Sequence, residues 1–259
     1  MKDGAIQKLA DELYEAERDS TAILPLSDRY DYITVGDSYA IQMANIHRVE
    51  QMGYAISGKK IGLTSAGIQK QLGVDEPDYG HLFAAMHCED GIVDTALLIQ
   101  PKIEAELAFV LASDLTGENV TAADVRAATD YIVGAFEIVD SRIADWNIKL
   151  VDTIADNASS GRYILGKTRI MADETDLSSV TMRLYKNGEL ASEGTGAAVL
   201  GDPFLSVAWL ANKLHSYGVA LKKGEIILSG AFTAAPAAQK GDLFKAEFST
   251  FGTIKAEFT

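Results

Sequence analysis

The amino-acid sequence predicts an α+β fold in which leading helices cover a rolled or barrel-like sheet. Three observations carry this. Residues 3 to 18 and 37 to 52 place apolar side chains at helical spacing, whereas from Tyr54 onward most apolar runs are short and β-like. The chain ends on strand signals around Gly252. The segment EGTGAAVLGDP lacks G-x-G-x-x-G spacing and does not follow a strand into a long helix in the Rossmann manner, so a dinucleotide site is not expected. Helices segregated from a strand-rich remainder point to α+β architecture. No linker forces a division. The natural partition is a helical part at 1–53 packed on a main domain at 54–259, with a single structural unit equally open.

In order, Ile6, Leu9, Ala10, Leu13 and Tyr14 form the apolar stripe of the first helix, with charged residues opposite. The second helix is expected at 37–52, capped by Asp37 or Ser38 and stopped by Gly53. YAISGKKIGLTS then reads as a strand, in which Lys59 and Lys60 suit a solvated strand end. Ser65 caps the short helix AGIQKQL, which ends at Gly73. VDEPDYGHLF reads as a turn-rich loop in which Pro77 and Gly80 shape Asp78 and Tyr79. Thr121 and Asp124 form a capping box for another short helix. A cluster of Asp156, Asn157, Ser159 and Ser160 precedes the β-run RYILG, as in a ligand-facing loop or a helix end closed by Asx chemistry. Asn187-Gly188 marks a type I′ hairpin, and Asp202-Pro203 starts a helix closed by Gly218. EIILSG, LFKAEF and TIKAEF complete the strands.

A formal net charge of −14, with no basic stripe to offset it, argues against nucleic-acid and anionic-membrane partners. It leaves room for a small anionic substrate where a metal and a few lysines dominate one pocket. Cys88 is the only cysteine, so neither a disulfide framework nor a thiolate zinc site is expected. MKDGAIQKLADELYEAERD has the pattern of a charged amphipathic helix and not of a signal peptide. With no apolar run long enough to span a bilayer, the expectation is a soluble, cytoplasmic protein.

The chemistry centres on QPKIEAELAFVL, residues 100 to 111. Read as a strand, it turns Ile103, Ala105, Leu107 and Phe109 to one face and Glu104 and Glu106 to the other. The two backbone positions lie roughly 6 to 7 Å apart, close enough for both carboxylates to reach one cation. A solvated face of a half-exposed sheet would look the same. Glu137, between Phe136 and Ile138 in YIVGAFEIVD, is harder to explain that way. A buried glutamate needs a partner or a metal; Arg142 is the cation nearest in sequence. Three carboxylates suit a hard cation such as Mg²⁺ or Mn²⁺. No G-x-S-x-G elbow accompanies the four histidines, and they lack metal-binding spacing. The three-glutamate set with a lysine suits chelation of an α-keto acid and stabilisation of its enolate.

The strings GKKIGLTS, GVDEPDYGHLF, QPKIEAELAFVL, FEIVDSRIADW, DTIADNASSG, GAAVLGDP, VAWLANKL and KKGEIILSGAFT, in this order, resemble the 2-keto-4-pentenoate hydratase group of the fumarylacetoacetate hydrolase superfamily. The resemblance implies a mixed β-roll as the catalytic domain, with Mg²⁺ or Mn²⁺ on Glu104, Glu106 and Glu137. It implies that Lys60 assists proton transfer or holds the enolate, and that Asp78 with Ser160 or Ser159 orients water or substrate. Leu63 and Thr64, through their backbone groups, and Thr233 would hold the substrate carboxylate. The implied reaction is addition of water to a 2-hydroxydienoate from aromatic meta-cleavage, giving 4-hydroxy-2-oxopentanoate from the five-carbon substrate. The 4-oxalocrotonate decarboxylases share this scaffold, and ADNASS and GAFTAAP lean toward them. C–C hydrolysis of an acylpyruvate type lacks a His-Glu dyad to activate water. A non-enzymatic scaffold has no need of buried charge. A homo-oligomer, or a complex with a related decarboxylase or hydratase, is the implied assembly.

Overall fold

Capping and periodicity account for the helical start. The computed structural model describes residues 1–259, the side chains of residues 71 and 72 excepted. Helix α1 (Asp3–Arg18) buries Leu9, Ala10, Leu13 and Ala16, as its stripe requires. After the short α2 (Leu26–Arg29), helix α3 (Val35–Gln51) begins earlier than expected. Its cap is Thr34, and Asp37 is the third helical residue, completing a reciprocal capping box, so neither Asp37 nor Ser38 is the cap.

The strand-rich part runs β1 (Ile56–Gly62), α4 (Ala66–Leu72), β2 (Asp78–Phe83), β3 (Ile92–Val93), β4 (Lys102–Leu111), α5 (Ala122–Ala128) and β5 (Thr129–Val139). It continues α6 (Leu150–Ala155), β6 (Ser160–Leu165), β7 (Thr181–Lys186), β8 (Glu189–Thr195), α7 (Pro203–His215), β9 (Ile226–Leu228), β10 (Leu243–Phe248) and β11 (Gly252–Phe258). Asn187 and Gly188 take positive φ values of 53° and 87° in the β7–β8 turn, as a type I′ hairpin demands.

Two mixed sheets result, ordered β2-β1-β9-β4-β5-β6 and β3-β11-β10-β7-β8. In the first, β9 is parallel to β1 and antiparallel to β4. The two sheets share one core, in which Ile103, Leu107, Phe109 and Phe136 meet Phe244, Phe248, Ile254 and Phe258. The opposite face of β4 and β5 offers Ala108, Val133 and Ala135 to Ile46 of α3 and to Tyr163, Leu82 and Phe83. A third cluster packs Leu9, Leu13 and Ile41 of the leading helices against Ile143 and Ala155.

Two further expectations are overturned. DYGHLF is not a loop: Asp78–Phe83 is a fully buried strand paired antiparallel with β1. Turn-type residues stand there because Gly80 faces the Asn157 carbonyl and Ser160 Oγ at distances that leave a Cβ no room. Nor are Lys59 and Lys60 solvated, each being 3% exposed. Alternation sends them to opposite faces of β1, where each finds a carboxylate: Lys59 pairs with Glu225 at 2.6 Å and Lys60 with Glu137 at 3.2 Å.

Candidate active site

Register builds the site. Glu104 of β4 lies directly opposite Glu137 of β5, and Glu106 opposite Ala135, so the three carboxylates share the face turned away from the inter-sheet core. Each offers an oxygen within 4.8 Å of the others. Glu106 and Glu137 are fully buried, whereas Glu104, though crowded by protein atoms, keeps some solvent contact. The Gly230 amide, just past β9, donates to Glu106 Oε2 at 2.8 Å. Glu106 Oε1 and Glu137 Oε2 lack a hydrogen-bond partner among the described residues, and Glu137 Oε1 meets the Lys60 ammonium at 3.2 Å.

Such a cluster is unfavourable without a cation. Burial, then the neighbouring Glu137 and Glu104, push Glu106 well above the ordinary carboxylate range. Burial raises Glu137 to about 8 despite the pull of Lys60. A hard divalent cation needs negatively charged oxygen ligands, and these orphaned oxygens supply them.

Lys60 is the cation already present. Burial works against its charge, but Glu137, Glu104, Asp78 and Glu106 outweigh burial and raise its pKa, so the ammonium persists at neutral pH. The register places Lys60 beside Gly80 and Gly62 opposite Asp78, which brings Asp78 into the same group. Thr153 Oγ1 donates to Asp78 Oδ2 at 3.1 Å, and Oδ1 has no partner among the described residues. Burial raises the Asp78 pKa against the pull of Lys60. A Cβ on Gly62 would sit 2.2 Å from Asp78 Oδ1, so Gly62→Ala is expected to displace that carboxylate. Turnover should fall about tenfold or more while the melting temperature moves little; unchanged kcat would separate Asp78 from the chemistry.

Arg142 does not serve Glu137. Its Nε and backbone N–H both engage Asp156, and its Nη1 donates to the Asp140 and Ser160 carbonyls at 2.8 Å each. Nearness in sequence was misleading because Ser141 and Arg142 leave the strand and turn toward α6. The buried pair instead braces the turn before β6, where Asn157, Ala158 and Ser159 take φ values of 53°, 50° and 54°. Left-handed backbone costs a non-glycine residue about 1–2 kcal/mol. The Asn157 side chain compensates in part, accepting from the His81 amide at 2.7 Å and donating to its carbonyl at 3.0 Å.

The remaining residues separate. Ser160 Oγ donates to the Asn157 carbonyl at 2.8 Å and lies against Gly80, within the lining of a cavity of about 330 Å³ between α1, α3 and the sheet. That cavity does not include the three glutamates. Ser159 donates to Asp156 at 3.3 Å, which makes it part of the brace. Leu63, at a φ of 58°, and Thr64, packed on Gly230, follow directly from β1. Thr233 lies in the strip that runs past Glu104, since Phe232 N bonds the Ala105 carbonyl and Ile103 N the Pro236 carbonyl. Its hydroxyl meets Ser192 at 3.0 Å. Gly230 and Thr153 were not read as site residues from the sequence, although Thr153 stands in the polar-rich DTIADNASS segment; Asn157 was read only as one of the polar cluster before RYILG.

Residues 84–259 match the fumarylacetoacetate hydrolase C-terminal family. The chain belongs to the fumarylacetoacetate hydrolase family. A 2-keto-4-pentenoate hydratase of Paraburkholderia xenovorans (strain LB400) is 48% identical over 253 residues, covering 97% of this chain and 94% of that protein. A 2-hydroxyhexa-2,4-dienoate hydratase of Comamonas testosteroni is 44% identical, covering 98% and 97%. Among solved structures of the family, 4-oxalocrotonate decarboxylase from Pseudomonas putida G7, complexed with magnesium and adipate, superimposes with a TM-score of 0.97 at 36% identity, covering 100% and 99%.

Proposed function

We propose that this protein is a divalent-cation-dependent hydratase that converts 2-hydroxypenta-2,4-dienoate to 4-hydroxy-2-oxopentanoate. The observation that carries the reading is 48% identity to a 2-keto-4-pentenoate hydratase across 97% of the chain. The buried Glu104–Glu106–Glu137 cluster with Lys60 at its side suits that chemistry. A cation held by these glutamates, Mg²⁺ or Mn²⁺, would supply a Lewis acid for the C1 carboxylate and C2 oxygen.

The protein's own groups do the rest. Lys60 faces the carboxylates as an ammonium and stabilises negative charge on the C2 oxygen as it develops. Loss of the C2 hydroxyl proton and delivery of a proton to C5 ketonise the dienol; the hydroxyl of water then adds at C4 and its proton at C3. Asp78, buried beside Lys60 with a raised pKa, is the group that exchanges these protons. Ser160 orients water or substrate, while Ser159 supports its turn through Asp156. Leu63 and Thr64 backbone groups and Thr233 receive the substrate carboxylate.

One observation favours a second reading: the near-complete superposition on the decarboxylase. A product assay with Mg²⁺ separates the two. The expected result is loss of dienoate absorbance with formation of 4-hydroxy-2-oxopentanoate, and no CO₂ from 2-oxohex-3-enedioate. CO₂ release from the diacid without hydration of the monoacid would assign the decarboxylase.

A further inference from the structure

Glu104 is the one member of the carboxylate cluster with solvent contact, so the site opens toward the N-terminal end of β4. Two residues before Glu104 on that strand, and therefore on the same face, stands Lys102, opposite Val139 of β5. Its Nζ lies 4.1 Å from the centre of the Trp146 ring, and no carboxylate is within ion-pairing distance of it among the described residues. Every other lysine named near the site, Lys59 and Lys60, is taken up by a glutamate.

The indole is placed deliberately. Asp145 and Trp146 both adopt left-handed backbone, with φ values of 58° and 54°, and Trp146 Nε1 donates to the Gln100 carbonyl at 3.0 Å. The Gln100 side chain in turn donates through Nε2 to the Ser141 carbonyl at 2.9 Å and to the Ile143 carbonyl, and the Asp140 carboxylate accepts from the Ile99 and Gln100 backbone amides. The start of β4 is thus tied to the segment that carries Trp146. An aromatic face steadies an ammonium without neutralising it, leaving its charge for an incoming anion. In a chain of net charge −14, with an acidic cluster just inside, an anionic substrate needs such a charge at the entrance.

We propose that Lys102, steadied by Trp146, is the charge that draws the anionic substrate to the mouth of the site, before its carboxylate passes inward to the cation and to Leu63, Thr64 and Thr233. This rests on the site's proposed use for a 2-hydroxydienoate or 2-oxo acid. Lys102 is a specificity residue for anionic chains and takes no part in proton transfer.

The test compares Lys102→Met, which keeps the stem and removes the charge, with Lys102→Arg, which keeps both charge and ring contact. At low ionic strength Lys102→Met should raise KM about tenfold with kcat within about twofold of wild type, and Lys102→Arg should restore KM. The gap should narrow in high salt, since surface charges are screened. Calorimetry of 2-oxopentanoate on the Mg²⁺-loaded protein should show the same loss, a reading that needs no turnover. Mg²⁺ affinity should hold or tighten, because a cation has been removed nearby. Unchanged KM and 2-oxopentanoate affinity at low salt would overturn the role. Weakened Mg²⁺ binding would place Lys102 behind the glutamates instead. If the wild-type holoenzyme binds no 2-oxo acid, the functional reading itself fails and this role falls with it.

Discussion

Glu106→Gln is expected to lose divalent-cation binding and about a thousandfold in turnover, equivalent to about 4 kcal/mol of barrier. The substitution removes one charged oxygen from the cluster and leaves the amide of Gly230 an oxygen to bond. The fold survives because the mutation relieves repulsion. Glu106 and Glu137 have pKa values above their ordinary value of 4.5 in the folded chain, so their stabilising contribution is complete at low pH and is lost as pH rises. His81 acts oppositely: burial lowers it from 6.5 to about 3, so its contribution is lost only as pH falls below 6.5. Between 6.5 and about 8 the carboxylates therefore act without His81. Over that window the metal-free wild type should melt at falling temperature as pH rises, Mg²⁺ should flatten the slope, and metal-free Glu106→Gln should melt higher than wild type. Retained Mg²⁺-dependent turnover in the variant would remove Glu106 from the metal site.

Lys60→Ala is expected to keep Mg²⁺ binding and lose at least about a hundredfold in kcat. Its ammonium lies 3.2 Å from Glu137 Oε1 and feels Asp78, Glu104 and Glu106 as well. Deleting it strips the site of the group proposed to hold the developing C2 oxyanion. Lys60→Arg should not rescue, because a planar guanidinium cannot replace a compact ammonium at a site 3% exposed. Steady-state kinetics beside a Mg²⁺ titration checks both statements, and wild-type kcat in Lys60→Ala would exclude it from the mechanism.

The carboxylate cluster was legible because strand alternation is strict. Once residues 102 to 111 read as a strand, Glu104 and Glu106 had to share a face, and Glu137 was too deep in an apolar run to be solvated. What could not be read was which distant residue answers each charge. Lys60 reaches Glu137 because β9 brings β1 alongside β4, a crossover that local pattern does not encode. Turn chemistry misled at Asp78-Tyr79-Gly80, where a small residue serves close packing against the Asn157 turn and no bend occurs. At Thr34 the capping box was present in the sequence, but Asp37 is itself a common cap and drew the helix start three residues late. The roles of Ser160, Thr64 and Thr233 came from the family resemblance alone.

β2 is the outermost strand of its sheet, where bare amides and carbonyls invite another chain to add on. At His81 both groups are taken by one side chain, which acts as a single-residue strand and closes the ladder there. A foreign strand would have to evict Asn157 before it could zip onto this margin. Copies of the protein that associate must therefore meet through helices, loops or other strands, and the left-handed turn doubles as protection against edge-on aggregation.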